Sequence, residues 1–508
     1  MGRFWVGLGA VAALWCSSAV AGPLPEAVWG DPTCGLPEAE RLEKQQLLEA
    51  SLTDPQAAER YRALIGSHAQ RLQACRAQTW PQTQAVWLRL YDTDALPGVL
   101  DEVLDRIVNR GYNQVFVETF YDGRVLLPEA DNLTPWRSVL QEAVAAGILP
   151  ADRDLLAEVI EKGHARGLQI HAWMFAMNFG YSYSERSERA PLLARNGLGE
   201  TSIAQARFDP GLLIDGQAFY EDAYETEHLF VDPYHPQARQ DLITAITAIL
   251  ARQPDGVLLD YIRFPTAVGA DKWVSHPHEL WIHAEASRTA LLERMPTRRE
   301  RELLQRYLQN GSLSGADVAQ VDSQYGDEPL PSVMDRLRTH ARRAQRYEAQ
   351  FWQHSIDHAL QGVIDFLAAV AKPVQAEGIP VAAVFFPGGN RIQNGAYDAK
   401  LQPWDRFPAG IERHPMSYAI CGENNATCVA DQVGEVIRKT PVGTPICPIL
   451  AGTWGQPFGG HASLEIQMEA LESRYPQLEC VSHFVYSWME PDSDRDRKFR
   501  LQSQTRGL

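Results

Sequence analysis

The 508-residue sequence contains no CxxC pair, so it offers no framework for a cysteine zinc site. It also lacks HExxH, a GxGxxG fingerprint, a P-loop and a GxSxG elbow. Zinc peptidases, dinucleotide enzymes, P-loop NTPases and elbow-type serine hydrolases therefore lose their signatures. No stretch beyond the N-terminus is apolar for long enough to cross a bilayer. There is no internal repeat and no low-complexity tract. Basic residues are not in excess: Lys plus Arg is 47 against 64 Asp plus Glu, a net charge of −17. No nucleic-acid partner is expected, and strongly acidic polymers are disfavoured. No metal and no cofactor are expected. His276-Pro-His278 is an isolated HxH pair in a charged stretch.

The composition, 45% hydrophobic and 22% charged, is that of a globular chain. At the start, Arg3, an apolar run over residues 4–15 and Ala19-Val20-Ala21 read as a signal peptide, residues 1–21, cut before Gly22. Cys16 would suit a lipid anchor, but Trp15 before it is too bulky for the usual lipobox. The expectation is an exported protein, secreted or periplasmic, without stable membrane insertion after cleavage. Cys34, Cys75, Cys421, Cys428, Cys447 and Cys480 remain. Six cysteines allow about fifteen pairings. Neighbourhood suggests Cys34 with Cys75, Cys421 with Cys428, and Cys447 with Cys480. Scattered buried thiols are the competing reading.

Residues 22–83 read as two helices that pack on the domain that follows. From residue 84, β-branched and aromatic runs alternate with amphipathic stretches, the pattern of parallel βα units. Strands are expected at 85–91, 114–120, 168–175, 256–261, 381–386, 411–418, 444–450 and 482–488. Helices are expected over 96–110, 152–166, 236–252, 346–376, 431–439 and 463–475. Eight such strands predict an α/β fold, a closed (β/α)8 TIM barrel over 84–490. That span exceeds the roughly 250 residues a barrel needs. The surplus lies in insertions at 176–232 and 266–345, after strands 3 and 4. Residues 491–508 read as a tail.

In such a barrel the chemistry sits where strands finish. Carboxylates and aromatics recur there: Glu118 on strand 2 and Asp122 after it, His171 and Trp173 on strand 3, Asp260 and Tyr261 on strand 4 and Arg263 after it. Tyr418, Trp454, Trp488 and Glu490 end strands 6 to 8. Carboxyl pairs cleave glycosidic bonds, and Trp and Tyr faces stack on sugar rings. Asp260 is the sharpest candidate, because it closes an apolar strand where a carboxylate is costly to bury. An ion pair with Arg263 is its competing reading. The second carboxyl is Glu490 or Glu118, with Asp122 and Asp405 behind them. His171, Trp173, Arg263, Tyr418, Trp454, Trp488, Asp122 and Tyr261 are the expected sugar contacts. For the aromatics, core packing is the alternative.

Gly256-Val-Leu-Leu-Asp-Tyr-Ile-Arg-Phe-Pro265, after Gln253-Pro-Asp255, resembles the strand 4 signature of the glycosyl-hydrolase-like family 10 proteins. Gly111-Tyr-Asn-Gln-Val-Phe-Val117, His164-Ala-Arg-Gly-Leu-Gln-Ile-His-Ala-Trp173, Phe230-Val-Asp-Pro-Tyr-His-Pro236 and Pro415-Met-Ser-Tyr418 resemble further family segments. The resemblance spans roughly residues 84–490. It implies a barrel distantly similar to α-amylase-like and α-galactosidase-like hydrolases, with Asp260 at the nucleophile position. The family often carries a second acid directly after this Asp; here Tyr261 stands there.

The expected function is an exported glycoside hydrolase acting on a polysaccharide or oligosaccharide. In a periplasm, peptidoglycan strands would be the most available glycan. A non-catalytic carbohydrate-binding barrel is the alternative. A deacetylase would need a metal or a nucleophilic serine, and neither is visible.

Overall fold

Eight short runs pair as parallel strands: β1 Thr83–Leu88, β2 Gln114–Tyr121, β3 Gln169–Phe175, β4 Gly256–Asp260, β5 Val381–Phe385, β6 Glu412–Pro415, β7 Ile449–Ala451 and β8 Cys480–Phe484. The computed structural model describes residues 34–202, 228–265 and 273–505. The expected signal peptide and parts of both insertions lie outside them.

The ladder runs β6-β5-β4-β3-β2-β1-β8-β7. Three backbone hydrogen bonds bridge β6 to the β7 segment: Arg413 N to Pro445 O (2.9 Å), Cys447 N to Arg413 O (2.9 Å) and Ser417 N to Ile449 O (3.0 Å). The result is a nearly closed (β/α)8 barrel, as expected. Helices α3 Val99–Asn109, α4 Leu155–His164, α5 Pro236–Leu250, α6 His340–Ala376, α7 Thr427–Lys439 and α8 Leu464–Arg474 follow the strands. All three expected disulfides are formed.

Strand alternation sends Trp87, Phe116, Glu118, His171, Trp173, Asp260 and Phe484 into the barrel. Trp87 meets Phe116 at 5.0 Å and Trp173 at 4.7 Å, both edge-on. Gly256 is required beside His171: a Cβ there would stand 2.5 Å from the ring Nδ1.

Two expectations fail at the C-terminus. Strand 8 stops at Phe484, where pairing with β7 ends at Ala451, and a helical turn Tyr486–Met489 replaces the expected extension. Residues 491–505 are no tail. They form helix α9, Pro491–Thr505, with Asp492 and Asp494 in its first turn, where acids favour a helix start. Arg497 docks it, donating to both Asp94 oxygens at 2.7 Å.

The N-terminal helices α1 Glu38–Ser51 and α2 Pro55–Arg76 are held on the barrel by a buried charge cluster. Asp105 of α3 accepts from Tyr61 Oη (2.7 Å) and Arg166 Nε (2.8 Å), and Lys44 Nζ lies 3.8 Å away. Burial pushes the Lys44 amine down to about 8. Asp105→Ala leaves buried Lys44 without its counter-charge and buried Arg166 with Asp101 alone, at 2.9 Å. It should lower the unfolding free energy by about 3–5 kcal/mol in chemical denaturation, against near-neutrality for exposed Asp335→Ala.

Candidate active site

Asp260 is the last residue of β4, paired with Phe175 and two residues past Leu258, the register partner of Trp173 on β3. Its Oδ2 accepts from Trp173 Nε1 at 3.1 Å and its Oδ1 from Tyr261 N at 2.6 Å. The residue is 8% exposed. Burial raises its carboxyl pKa to about 6, against the lowering effects of the Tyr261 amide, Arg263 and Trp173. The ion pair with Arg263 is not formed among the described residues. Arg263 instead donates to Phe264 O (3.0 Å) and lies over the Tyr261 ring at 4.7 Å.

Asp122 stands at the end of β2 with φ 44°, in the left-handed region that Asp tolerates. Gly180 lets the loop after β3 lie on this turn; a Cβ there would be 2.1 Å from Gly123 N. The Asp122 Oδ1 is shielded from solvent without a hydrogen bond, 3.9 Å from His228 Nε2. Burial raises this carboxyl, and Arg89 and Arg124 oppose the rise. His228 is kept neutral: burial, then Arg263 and Arg89, push it down to about 3. Its Nε2 meets Tyr261 Oη at 3.5 Å. Tyr261 itself holds φ 52°, a strained conformation for a bulky residue, with its ring 4.3 Å from Phe175.

Glu118 is buried and forked by Arg89, whose Nε and Nη2 both reach it, the second at 3.2 Å. Glu490 does not join the mouth at all. Arg106 Nη1 (3.1 Å) and Arg110 Nε (2.7 Å), at the C-terminal end of α3, hold its two oxygens in the helix layer. Asp405 is exposed and accepts from Asn390 at 2.7 Å.

The expected sugar contacts also divide. Trp173, Tyr261, Arg263 and Asp122 gather with Asp260. Tyr418 and Trp488 stand on the β6–β8 side, 6.0 and 5.4 Å from Phe484, which is itself 6.3 Å from Trp173. Phe458 meets Trp488 at 4.8 Å. His171 lies lower in the barrel, bonded to Gln114 at 2.7 Å and pushed down to about 4 by burial. Trp454 packs outside the barrel wall, donating to Tyr112 Oη at 3.0 Å beside His483, because His483 alternates with the inward Ser482 and Phe484.

Arg89, His228, Phe484 and Phe458 were missed from sequence. Arg89 had a signal, since it follows β1 in register with Glu118 on β2. His228 had none, lying in an insertion without periodicity.

Residues 82–286 match the glycosyl hydrolase-like 10 family model. The glycosyl hydrolase-like 10 segment holds β1 to β4, and with them Asp122 and Asp260. No curated protein matches the chain. Among solved structures, the chain is similar to the PgaB (BpsB) glycoside hydrolase domain from Bordetella bronchiseptica, with 16% identity, 82% of this chain and 98% of that one covered, and a TM-score of 0.43. It is also similar to the β-amylase catalytic domain from Paenibacillus polymyxa, with 11% identity, 80% and 92% covered, and a TM-score of 0.44. A third is the PelA glycoside hydrolase domain from Pseudomonas aeruginosa, with 12% identity, 80% and 96% covered, and a TM-score of 0.29.

The raised Asp260 pKa gives a stability test. The carboxyl binds its proton more tightly folded than unfolded. Its contribution is therefore full below the ordinary aspartate value of 3.8 and is lost as pH rises through about 6. Asp260→Asn keeps the volume and removes the titration, but its one oxygen accepts from only one of Trp173 Nε1 and Tyr261 N and its amide NH2 faces the other. Its stability relative to the parent should therefore be about 1–3 kcal/mol more favourable at about pH 7.5 than at about pH 3.5, read by urea unfolding. No change in that difference with pH would remove the raised carboxyl.

Proposed function

We propose that the protein hydrolyses O-glycosidic bonds of a polysaccharide or oligosaccharide at the C-terminal mouth of its barrel. The observation that carries this reading is Asp260: a buried carboxyl with a raised pKa at the end of β4, bonded to an indole and a backbone amide rather than to a guanidinium. The match of β1 to β4 to the glycosyl hydrolase-like 10 family supports it.

Ionised Asp260 faces the anomeric carbon as nucleophile or charge stabiliser. The proton donor is Asp122, which replaces the Glu490 or Glu118 expected from sequence. Glycosidic cleavage needs one carboxyl that holds a proton near neutral pH and one that does not. Burial pushes Asp122 towards the protonated form. Glu118, forked by Arg89, orders the guanidinium beside it. Trp173, Phe484, Tyr418, Trp488 and Phe458 form an aromatic wall on which sugar faces stack. Three disulfides suit an oxidising compartment, and we place the protein outside the cytoplasm, secreted or periplasmic.

Incubation with a glycan panel that includes peptidoglycan strands, followed by assay of new reducing ends, tests this. Cleavage should rise with pH through about 6 as Asp260 ionises. Asp260→Asn should abolish turnover with the fold intact. Asp122→Asn should slow it by roughly 10²- to 10⁴-fold. Binding without any release of ends would make the barrel a carbohydrate-binding protein. Full activity of Asp122→Asn would remove it as the donor.

A further inference from the structure

The helix α6 has 37 residues and a length of about 55 Å, while α3, α4 and α5 have 11, 10 and 15. It ends at Ala376, just before β5 begins at Val381 near the opposite end of the barrel from the mouth. A five-residue strand rises only about 17 Å, so more than half of α6 stands beyond the C-terminal face. There it packs against the insertion helices Arg298–Asn310 and Gly315–Gln324.

The charge at the start of this arm is unlike the rest of the chain. Residues 336–347 hold five arginines, one histidine and no acid, in a protein of net charge −17. Arg343 is engaged by Asp322 at 2.7 Å, and His340 lies 3.6 Å from the same residue. Arg336, Arg338, Arg342 and Arg346 are exposed, and among the described residues none lies within ion-pair distance of an acid. Arg342 and Arg346 are one helical turn apart on one face. The first turn of α6 has no acidic residue, so the cations crowd the positive end of the helix dipole, which costs the fold stability. Beside them Val333, on the short helix Ser332–Asp335, is 49% exposed. Asp335, adjoining the patch in sequence, is an exposed acid.

We propose that this face docks on an anionic bilayer surface, with Arg336, Arg338, Arg342 and Arg346 on lipid phosphates and Val333 at the headgroup boundary. Clustered arginines with an adjoining exposed apolar side chain fit a charged lipid interface; a soluble polyanion would have no use for Val333. The arm holds the protein peripherally, without a spanning helix. It rises on the same side as the barrel mouth, so docking keeps Asp260 near material attached to that surface. The positive tip and the carboxylates of the mouth stay apart, which lets an overall acidic chain approach a negative surface by one end.

Sedimentation of the purified full chain with vesicles tests the docking independently of any glycan activity. The vesicles are phosphatidylcholine alone or phosphatidylcholine with phosphatidylglycerol. The neutral vesicles report any contribution of the apolar run at residues 4–15. The anionic vesicles should bind the protein more tightly, and about 0.5 M salt should remove the difference. Replacing all four residues (Arg336→Gln, Arg338→Gln, Arg342→Gln and Arg346→Gln) should weaken partitioning by on the order of 10²- to 10³-fold. Being exposed, the four should leave the thermal midpoint unchanged or raised. Val333→Ser should weaken it by about threefold. Equal binding of both vesicle types overturns the proposal, and so does undiminished binding of the fourfold variant. Retention on a heparin column without vesicle binding overturns it as well, by giving the face to a soluble polyanion.

Discussion

A carboxylate buried at the end of an apolar strand is unfavourable unless something holds it, and the mouth of this barrel is arranged around that constraint. Asp260 has an indole N–H and a backbone amide as its hydrogen-bond donors. Trp173 can supply the first because β3 and β4 pair in a register that sets its ring beside the last residue of β4. That ring is fixed in turn by its edge-on contact with Trp87 on β1. Two neutral donors do not fully offset burial, so the carboxyl stays close to its proton.

The guanidinium groups then sort the remaining acids. Arg89 takes Glu118; Arg106 and Arg110 take Glu490; Arg497 takes Asp94. Each of these acids is accounted for by a cation at hydrogen-bond distance. Asp122 is the strand-end acid left with a bare buried oxygen, and its neighbour His228 is neutral. Unpaired burial, rather than the mere presence of a carboxylate, is what makes a side chain chemically available at this pH.

Asp260 was legible because four apolar residues precede it and nothing in a strand interior calls for a charge. Its partner was not. Glu490 and Asp122 look alike in sequence, as acids just past a strand, and only the position of α3 beneath residue 490 takes one of them out of the mouth. His171 and Trp454 misled for a related reason. Both lie on or next to strands, but a one-residue alternation decides whether a side chain faces the mouth, the barrel floor or the helix layer. Strand 8 was expected to be longer than it is, since its last pairing depends on how short β7 turns out to be.

By itself the sequence determined the alternation of strands and helices, the even set of cysteines in their neighbouring pairs, and the strand 4 segment that ends in Asp260. Those are local properties, written in hydrophobic period and residue spacing. Which arginine meets which acid, and which aromatic rings converge on the mouth, depended on contacts between residues tens to hundreds of positions apart. Only the tertiary structure brings such residues within hydrogen-bonding or packing distance, and hydrogen bonds and van der Waals contacts act over that distance alone.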